Sequence, residues 1–172
     1  SDFEAVLDPR MTAKEAARRR DFTINTLALD LVTGEVIDEW GGMKDLQDGV
    51  LRATDPDLFV QDPLRVFRAM QLLARKAETV DTKTLILIYS MFESLSALPK
   101  ERIYEEFRKL FLKAPRPSVG LEFLRETGLL RFFPELKVLV GLPQRLEWHP
   151  EGDVWIHSYL AANAAAQLRH LI

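Results

Sequence analysis

The stretch QDPLRVFRAMQLLAR, residues 61–75, separates two parts of the chain with different character. Asp62 followed by Pro63 is typical of a helix start, with an aspartate that caps the first turn and a proline at the first helical position. Apolar residues then recur at helical spacing, at Val66, Phe67, Met70, Leu73 and Ala74. We therefore predict a helix that starts at Asp62-Pro63, with Asp62 as its N-cap, and that buries this stripe.

The residues before this helix read as short helices and strands. Residues 13–20 favour a helix by composition, and rough alternation from Phe22 to Leu31 indicates a strand. The turn residues Thr33-Gly34 predict a hairpin that returns through Val36 and Ile37. A short helix within 41–49 and an extended segment at 50–54 follow, so all three predicted strands precede residue 55.

The remainder of the chain reads as helical. Periodicity and prolines predict further helices at 81–92, 99–113, 117–126 and 154–171. The predicted fold class is α+β, with a remnant of a small mixed β-sheet followed by a larger, all-helical region.

Composition limits the possible functions of the 172 residues. The formal net charge is −3, so an anion site requires a local concentration of arginine. Cysteine is absent, which excludes disulfides and thiolate metal sites and fits the reducing cytoplasm, where we expect the protein. No apolar run approaches the roughly 18 residues of a membrane helix, so we expect no membrane partner.

Three consecutive arginines stand in EAARRRDFTINTLALD, residues 15–30. Guanidinium groups present paired donors that match phosphate oxygens, and Asp21 could orient one of them through a charge-assisted hydrogen bond. The alternative is a solvated basic helix end, favoured by the helix dipole. Spacing alone favours this alternative, since basic clusters usually lie on the surface.

Asp62 and Arg65 share one face at the start of the predicted helix. An acceptor beside an arginine matches cytosine and adenine, which both show an amino donor next to a ring-nitrogen acceptor. Uracil and guanine present the opposite polarity, and unpaired polar groups discriminate against them. The alternative is that Asp62 caps the helix and Arg65 is its i,i+3 partner. Arg68 and Arg75 lie near the same face as salt-bridging or phosphate-contacting residues.

A third cluster lies in LPKERIYEEFRKLFLKAPRP, residues 98–117. Its apolar stripe comprises Ile103, Phe107, Leu110 and Phe111, and its opposite face carries Arg102, Glu105, Glu106, Lys109 and Lys113. Such a face could follow an RNA backbone; the alternative is a solvated face with Glu105 and Lys109 as an i,i+4 pair. The candidate RNA-binding residues are Arg68, Arg75, Arg102, Arg108 and Lys109.

His149 and His157 are candidate metal ligands, with Glu151 and Asp153 between them. A metal site needs three or four ligands that converge in space. No histidine–aspartate pair follows, because His170 precedes a leucine, and we predict no metal site here.

In this order and spacing, the motifs resemble the bacterial tRNA nucleotidyltransferases and poly(A) polymerases, also called class II CCA-adding enzymes. RRDFTINTLALD (19–30) resembles the family's RRD motif, and QDPLR (61–65) resembles its base-reading EDxxR motif. Residues 38–53, 98–112 and 120–136 resemble the connecting and body segments. HPEGDVWIHSYL (149–160) resembles the opening of an HD-type domain that some members carry.

The resemblance implies a role for each matching residue. Arg19, Arg20 and Asp21 would contact the sugar and phosphates of the incoming nucleotide, and Asp62 and Arg65 would select the base. The parent enzyme would transfer CMP or AMP from CTP or ATP to the 3′ end of RNA, most often tRNA. The base-reading motif is common to enzymes that add C, A, CCA or poly(A), and the sequence predicts no oligomeric state.

The resemblance also divides the chain into three regions. Residues 1–55 correspond to the last part of the nucleotidyltransferase head domain. Residues 56–140 correspond to the helical neck and body, which select the base and bind RNA. Residues 141–172 correspond to the start of a tail or HD-type domain.

Two positions depart from the family pattern. Gln61 stands where the family has a glutamate, although its amide could still orient Arg65, and Ala16 stands where many members have an aspartate. Family members also carry a glycine-rich segment and paired carboxylates that bind Mg²⁺ before the RRD motif. Asp2, Glu4 and Asp8 lack the required spacing, so we expect no catalytic residue, no metal ligand and no activity in this chain alone.

Two alternatives stay open at this point. The first is a non-catalytic module that binds RNA or nucleotide, and the second is the front part of an HD-type phosphohydrolase. A preference for ATP and CTP that depends on Asp62 and Arg65 would favour the nucleotidyltransferase. A histidine–aspartate pair beyond Ile172 would favour the phosphohydrolase.

Overall fold

The computed structural model describes residues 11–169. Asp2, Glu4, Asp8 and His170, which the sequence analysis considered, lie outside these residues. The helices in the described part are α1 (Ala13–Arg18), α2 (Gly42–Gln47), α3 (Pro56–Phe59), α4 (Arg65–Lys76), α5 (Thr82–Ser90), α6 (Lys100–Lys113), α7 (Pro117–Glu126), α8 (Pro134–Lys137) and α9 (Val154–Gln167). The strands are β1 (Ala28–Leu29), β2 (Val36–Ile37), β3 (Val50–Leu51) and β4 (Thr79–Val80), and 3₁₀ turns lie at Thr23–Asn25, Phe92–Ala97 and Leu129–Phe132.

The α+β class is confirmed, and the β part consists of two separate pairs of strands. β1 and β2 form the predicted antiparallel hairpin, with Ala28 opposite Ile37, and Gly34 adopts the positive φ of 75° in its turn. β3 pairs in parallel with β4, with Val50 opposite Thr79. The prediction that all strands precede residue 55 is therefore wrong, because a two-residue strand carries no alternating pattern.

The predicted strand from Phe22 to Leu31 is wrong in its first half, which forms the 3₁₀ turn at Thr23–Asn25. The Thr26 hydroxyl donates to the Thr23 carbonyl over 2.6 Å, and the Thr23 hydroxyl donates to Asp45 Oδ2 over 2.7 Å. Such bonds from short polar side chains compete with extended backbone. The turn holds the segment that follows the arginine cluster in a compact conformation.

The predicted helix start at Asp62 is also corrected, because α4 begins at Arg65. A proline disfavours helical backbone in the residue before it, so Asp62 stays outside the helix. Its Oδ1 accepts from the Leu64 amide over 3.2 Å, and its carbonyl accepts from the Arg65 amide over 3.0 Å. Asp62 therefore caps a turn that leads into α4 and keeps its second carboxylate oxygen for other partners.

Helix α4 lies at the centre of the core, between α6 and α7. Its predicted stripe of Val66, Phe67, Met70, Leu73 and Ala74 is buried, which confirms the helical pattern. Gly120 on α7 lets the helices approach closely. A Cβ added at Gly120 would lie 2.6 Å from Leu110 Cδ1 and 2.9 Å from the Met70 carbonyl oxygen.

The other predicted helices are confirmed as α5, α6, α7 and α9, with ends that differ by a few residues. On α6, Leu110 is buried as predicted, but Phe111 is 41% exposed and does not belong to the core. Helix α9 packs on α7, where the Trp155 indole donates to Glu122 over 2.7 Å and Asn163 accepts from the Ser118 amide over 3.0 Å. None of the described helices is both long and apolar enough to span a membrane.

Candidate functional site

A cavity of about 840 Å³ lies between the segment after α1, the start of α4 and the facing side of α6. We call it the arginine cleft. Its nine cationic lining residues are Arg19, Arg20, Arg65, Arg68, Arg75, Lys76, Arg102, Lys109 and Lys113, and its two acidic lining residues are Asp21 and Asp62. A chain with a net charge of −3 thus concentrates positive charge in one concave surface, which favours a polyanionic ligand.

The cleft brings together the residues that the sequence analysis selected in separate motifs. All five candidate nucleotide-binding residues line it, namely Arg19, Arg20, Asp21, Asp62 and Arg65. Of the candidate RNA-binding residues, Arg68, Arg75, Arg102 and Lys109 line it as well. Arg108 is absent from the lining, and its guanidinium donates to Glu105 on the exposed side of α6 over 3.2 Å.

The three consecutive arginines point in different directions. Arg18 turns away from the cleft and donates to Asp55 Oδ2 over 2.5 Å. Asp55 also caps α3 by accepting from the Leu58 amide over 3.0 Å. The Arg18 bond, followed by that amide, holds the pKa of Asp55 below its ordinary value. Two arginines of the run, Arg19 and Arg20, are left to line the cleft.

Asp21 lies at the wall of the cleft but is only 5% exposed. Its carboxylate accepts from the Phe22 amide and the Asn25 side chain, each over 2.9 Å, and from Arg68 Nε over 2.6 Å. Burial lowers the pKa of Arg68, but the charge of Asp21 and its hydrogen bond outweigh this, and the net shift is upward. Asp21 thus orients an arginine of α4, an interaction that crosses from the arginine cluster to the helix.

Arg65 is held in place by two backbone carbonyls. Its Nη1 donates to the Leu58 carbonyl over 2.9 Å, and its Nη2 donates to the Arg19 carbonyl over 2.8 Å. The guanidinium also lies 5.7 Å from the centre of the Phe59 ring. These contacts fix the orientation of Arg65 before any ligand arrives, so little side-chain entropy is lost when it binds.

Asp62 is more exposed and less constrained than Arg65. Its side chain is 38% exposed, and Oδ2 lies 3.6 Å from Arg102 Nη2, beyond hydrogen-bond distance. An acceptor oxygen therefore faces the cleft beside Arg65. Gln61 does not orient Arg65 as expected, because its amide donates to the Asp57 carbonyl over 3.1 Å.

The wall formed by α4 and α6 contains polar groups whose burial and pairing were not predicted from the sequence. Gln71 is buried and accepts from Arg75 over 2.7 Å, and burial lowers the pKa of Arg75. Glu106, predicted on a solvated face, is 2% exposed, and Lys109 pairs with it over 2.8 Å rather than with Glu105. The reason is the packing of α6 against α4, which no pattern within α6 alone reveals.

His149, Glu151 and His157 converge near the start of α9, with potential ligand atoms within 4.8 Å of one another. Glu151 Oε1 contacts Nδ1 of both histidines, and the bond from His157 is the largest influence that lowers the pKa of Glu151. Asp153 takes no part, because its carboxylate caps α9 at Ile156. The absence of a metal here stays a prediction from the sequence.

Comparisons with known proteins identify relatives of this chain. Residues 2–52 match a family model described as the poly(A) polymerase head domain, and residues 79–139 match one described as a probable RNA- and SrmB-binding site of polymerase A. A multifunctional CCA protein of Xanthomonas campestris is 44% identical over 96% of this chain and 42% of its own length. One from Vibrio parahaemolyticus is 41% identical with the same coverage. The chain thus spans about two fifths of these relatives.

Solved structures give the same result. A Thermotoga maritima CCA-adding enzyme in complex with tRNA has a TM-score of 0.62 and 28% identity, over 71% of this chain and 31% of that enzyme. A tRNA-processing enzyme with CTP has a TM-score of 0.65 and 25% identity, over 88% of this chain and 46% of that one. The comparisons do not favour a non-catalytic module or an HD-type phosphohydrolase.

Proposed function

This chain belongs to the family of bacterial tRNA nucleotidyltransferases and poly(A) polymerases, and from that membership we propose that its arginine cleft binds CTP or ATP for addition of CMP or AMP to the 3′ end of a tRNA. The observation that carries the proposal is the convergence of Arg19, Arg20, Asp62 and Arg65 on one cavity. These residues come from two motifs about forty positions apart in the sequence.

Asp62 and Arg65 select the base in this proposal. Asp62 Oδ2, which forms only a loose ion pair with Arg102, takes the exocyclic amino hydrogen of cytosine or adenine, and a remaining donor of Arg65 reaches the ring nitrogen. The fixed position of Arg65 supports this role, because a rigid donor cannot turn to suit a base of opposite polarity. UTP and GTP would leave both groups unpaired.

Arg19 and Arg20 bind the phosphates in this proposal, since they are the arginines of the run that line the cleft. Asp21 has a different role from the direct contact implied by the family resemblance. Its carboxylate already has three donors, so we assign it the positioning of Arg68 rather than a bond to the sugar. Catalysis by a group of this chain is not part of the proposal.

The RNA 3′ end occupies the remainder of the cleft, along the wall of α4 and α6. Arg68, Arg75, Arg102 and Lys109 line that wall, and their spacing along two facing helices suits a phosphate backbone. Arg108 would meet RNA only on the outer side of α6. We also propose that residues 1–55 belong to a head domain, residues 56–140 to a neck and body, and residues 141–172 to the start of a tail or HD-type domain. The proposed location of the protein is the cytoplasm.

The carboxylates that line the cleft do not fit a pair of Mg²⁺ ions. Two-metal sites need carboxylates that are free to bridge ions about 4 Å apart, whereas Asp21 has three donors within 2.9 Å and Asp62 stands alone. No step of the transfer is therefore assigned to Mg²⁺ bound by these residues. We propose that the described residues bind nucleotide without transferring it.

Calorimetric titration of the chain with each of the four nucleoside triphosphates tests the proposal. CTP and ATP should bind at least about tenfold more tightly than UTP and GTP, which corresponds to one well-placed hydrogen-bonded pair. Asp62→Ala and Arg65→Ala should each abolish this preference. Asp57→Ala and Arg145→Ala, which change exposed residues outside the cleft, should leave it intact. Equal affinity for all four nucleotides would refute the assignment of base selection.

A further inference from the structure

Glu106 is a buried carboxylate behind the arginine cleft for which nucleotide binding supplies no role. Its side chain is 2% exposed, and it does not line the cavity. Oε1 accepts from Lys109 Nζ over 2.8 Å. Oε2 is also buried, and no described residue donates a hydrogen bond to it. A carboxylate is therefore enclosed between α4 and α6 with one of its two oxygens unpaired among the described residues.

Such an arrangement is costly for folding. An ionised carboxylate loses its hydration on burial, and an acceptor without a donor recovers none of that loss. A glutamine of the same shape would still accept from Lys109 and would bury no charge. The charge of Glu106 thus calls for an explanation other than packing.

The groups that Glu106 acts on are the cations of the cleft wall. Lys109 is its direct partner, and its negative charge also acts on Arg68 and Arg75. All three of these cations line the cavity. Because Glu106 is screened from water, its field on them is stronger than that of an exposed carboxylate such as Glu105.

We propose that Glu106 is a positioning residue that limits how tightly the arginine cleft holds phosphate, by neutralising part of the charge of Arg68, Arg75 and Lys109. This inference rests on the proposed function. Nucleotide addition releases pyrophosphate and then requires the extended RNA end to shift, and nine cations opposed by two carboxylates would retain both polyanions. A third carboxylate placed behind the wall lowers the affinity without occupying space that the ligand needs.

The substitution Glu106→Gln tests the inference, with Glu105→Gln as the matched control. Both variants remove one negative charge from adjacent positions of α6, so they alter the net charge equally. The probes are CTP and inorganic tripolyphosphate, which share a phosphate chain and differ in the base. Affinities are measured by calorimetry at several NaCl concentrations, and thermal unfolding is recorded for every variant.

Glu106→Gln should bind both probes about three- to tenfold more tightly than the unmodified chain, as expected for removal of one nearby charge at an intermediate dielectric constant. The dependence of log affinity on log salt concentration should also become steeper, because one more protein cation then neutralises phosphate charge and displaces the counterions of the ligand. The ratio of CTP to UTP affinity, measured with UTP as a further ligand, should not change, since Glu106 does not line the cavity beside Asp62 and Arg65. Glu105→Gln should show none of these effects.

Unchanged or weaker binding of both probes to Glu106→Gln would overturn the inference, while the base preference of the unmodified chain would still support the proposed function. Failure of the unmodified chain to bind either probe would overturn both. A purely structural role predicts a lower melting temperature for Glu106→Gln with no gain in affinity and no change in salt dependence, and that result also contradicts the inference.

Discussion

At the scale of single residues, the ion pair between Asp21 and Arg68 is the interaction on which the cleft depends most. The two atoms Oδ2 and Nε lie 2.6 Å apart, and the Asp21 side chain is 5% exposed. Removal of one partner from such a pair leaves the other without compensation in a poorly solvated site. The pair links the arginine cluster to α4, so its loss affects both the stability and the shape of the cleft.

Asp21→Asn should lower the free energy of unfolding by about 3 kcal/mol, because the buried Asp21 carboxylate would be replaced and the partly buried Arg68 guanidinium would lose its counter-charge. Urea denaturation measures the change. The control is Asp48→Asn, which breaks an exposed pair with Lys44 and should cost less than about 1 kcal/mol. Similar values for the two variants would show that Asp21 is not a structural anchor.

Asp55 provides a prediction for pH dependence. Its pKa in the folded chain is depressed below the ordinary value of 3.8, first by the Arg18 bond and then by the Leu58 amide. A depressed folded pKa contributes stability that is present above pH 3.8 and is lost as the pH falls through the lower folded value. Melting temperatures should therefore fall in that acidic range, and the difference between the unmodified chain and Asp55→Asn should shrink there. A constant difference would contradict this.

The sequence predicted best which residues line the cleft, and their chemical roles stay predictions. The proposed joint role of Asp62 and Arg65 follows from the donors and acceptors of a base edge, which are independent of the fold. The backbone conformation at each residue instead determines which arginine of a consecutive run points into the cleft. Arg18 points to Asp55. The burial of Glu106 depends on the helix packed against it. Both were therefore beyond prediction from neighbouring residues.

At the scale of elements, the contact between α4 and α7 depends on Gly120. Apolar periodicity predicted both helices, since each buries a continuous stripe. The two-residue strand β4 and the start of α4 at Arg65 were not predicted, because each is determined by a few hydrogen bonds with no repeating pattern. Long elements with a repeating apolar pattern can thus be predicted from the sequence. Short elements whose positions depend on tertiary contacts cannot.

Gly120→Ala should destabilise the chain by about 2 kcal/mol, because the added methyl group would overlap a backbone carbonyl that cannot move aside freely. That atom is the Met70 carbonyl oxygen, 2.9 Å from the position of the new Cβ. Urea denaturation gives the value. The double variant with Leu110→Ala should recover little stability, since shortening Leu110 leaves the carbonyl overlap and creates a cavity. A stabilised Gly120→Ala variant would contradict the close packing.

At the scale of the whole molecule, charge is distributed unevenly. Nine cations line one cleft, although the chain as a whole carries a net charge of −3. The remaining surface is therefore acidic and repels RNA that approaches from other directions. Composition alone predicted no general affinity for nucleic acid, and the motifs predicted a local site. The structure shows a local concentration of cations in a chain whose net charge is negative.

Binding of a short single-stranded RNA should consequently weaken with salt. Arg75→Ala should lower the affinity and reduce the slope of log affinity against log salt by about 0.7, the value for one phosphate contact on a single strand. Arg108→Ala removes the same charge from the outer side of α6 and should have a smaller effect on both quantities. Fluorescence anisotropy at several NaCl concentrations measures them. Equal effects would contradict binding within the cleft, and a larger effect of Arg108→Ala would place the RNA on the outer face.

The tether of Arg65 to the carbonyls of Leu58 and Arg19 has a geometric consequence for the proposed site. A base that displaces the guanidinium would also disturb the backbone of the residue next to Arg20, on which the phosphates are proposed to bind. A mismatched nucleotide would then bind with displaced phosphates even when the site is saturated.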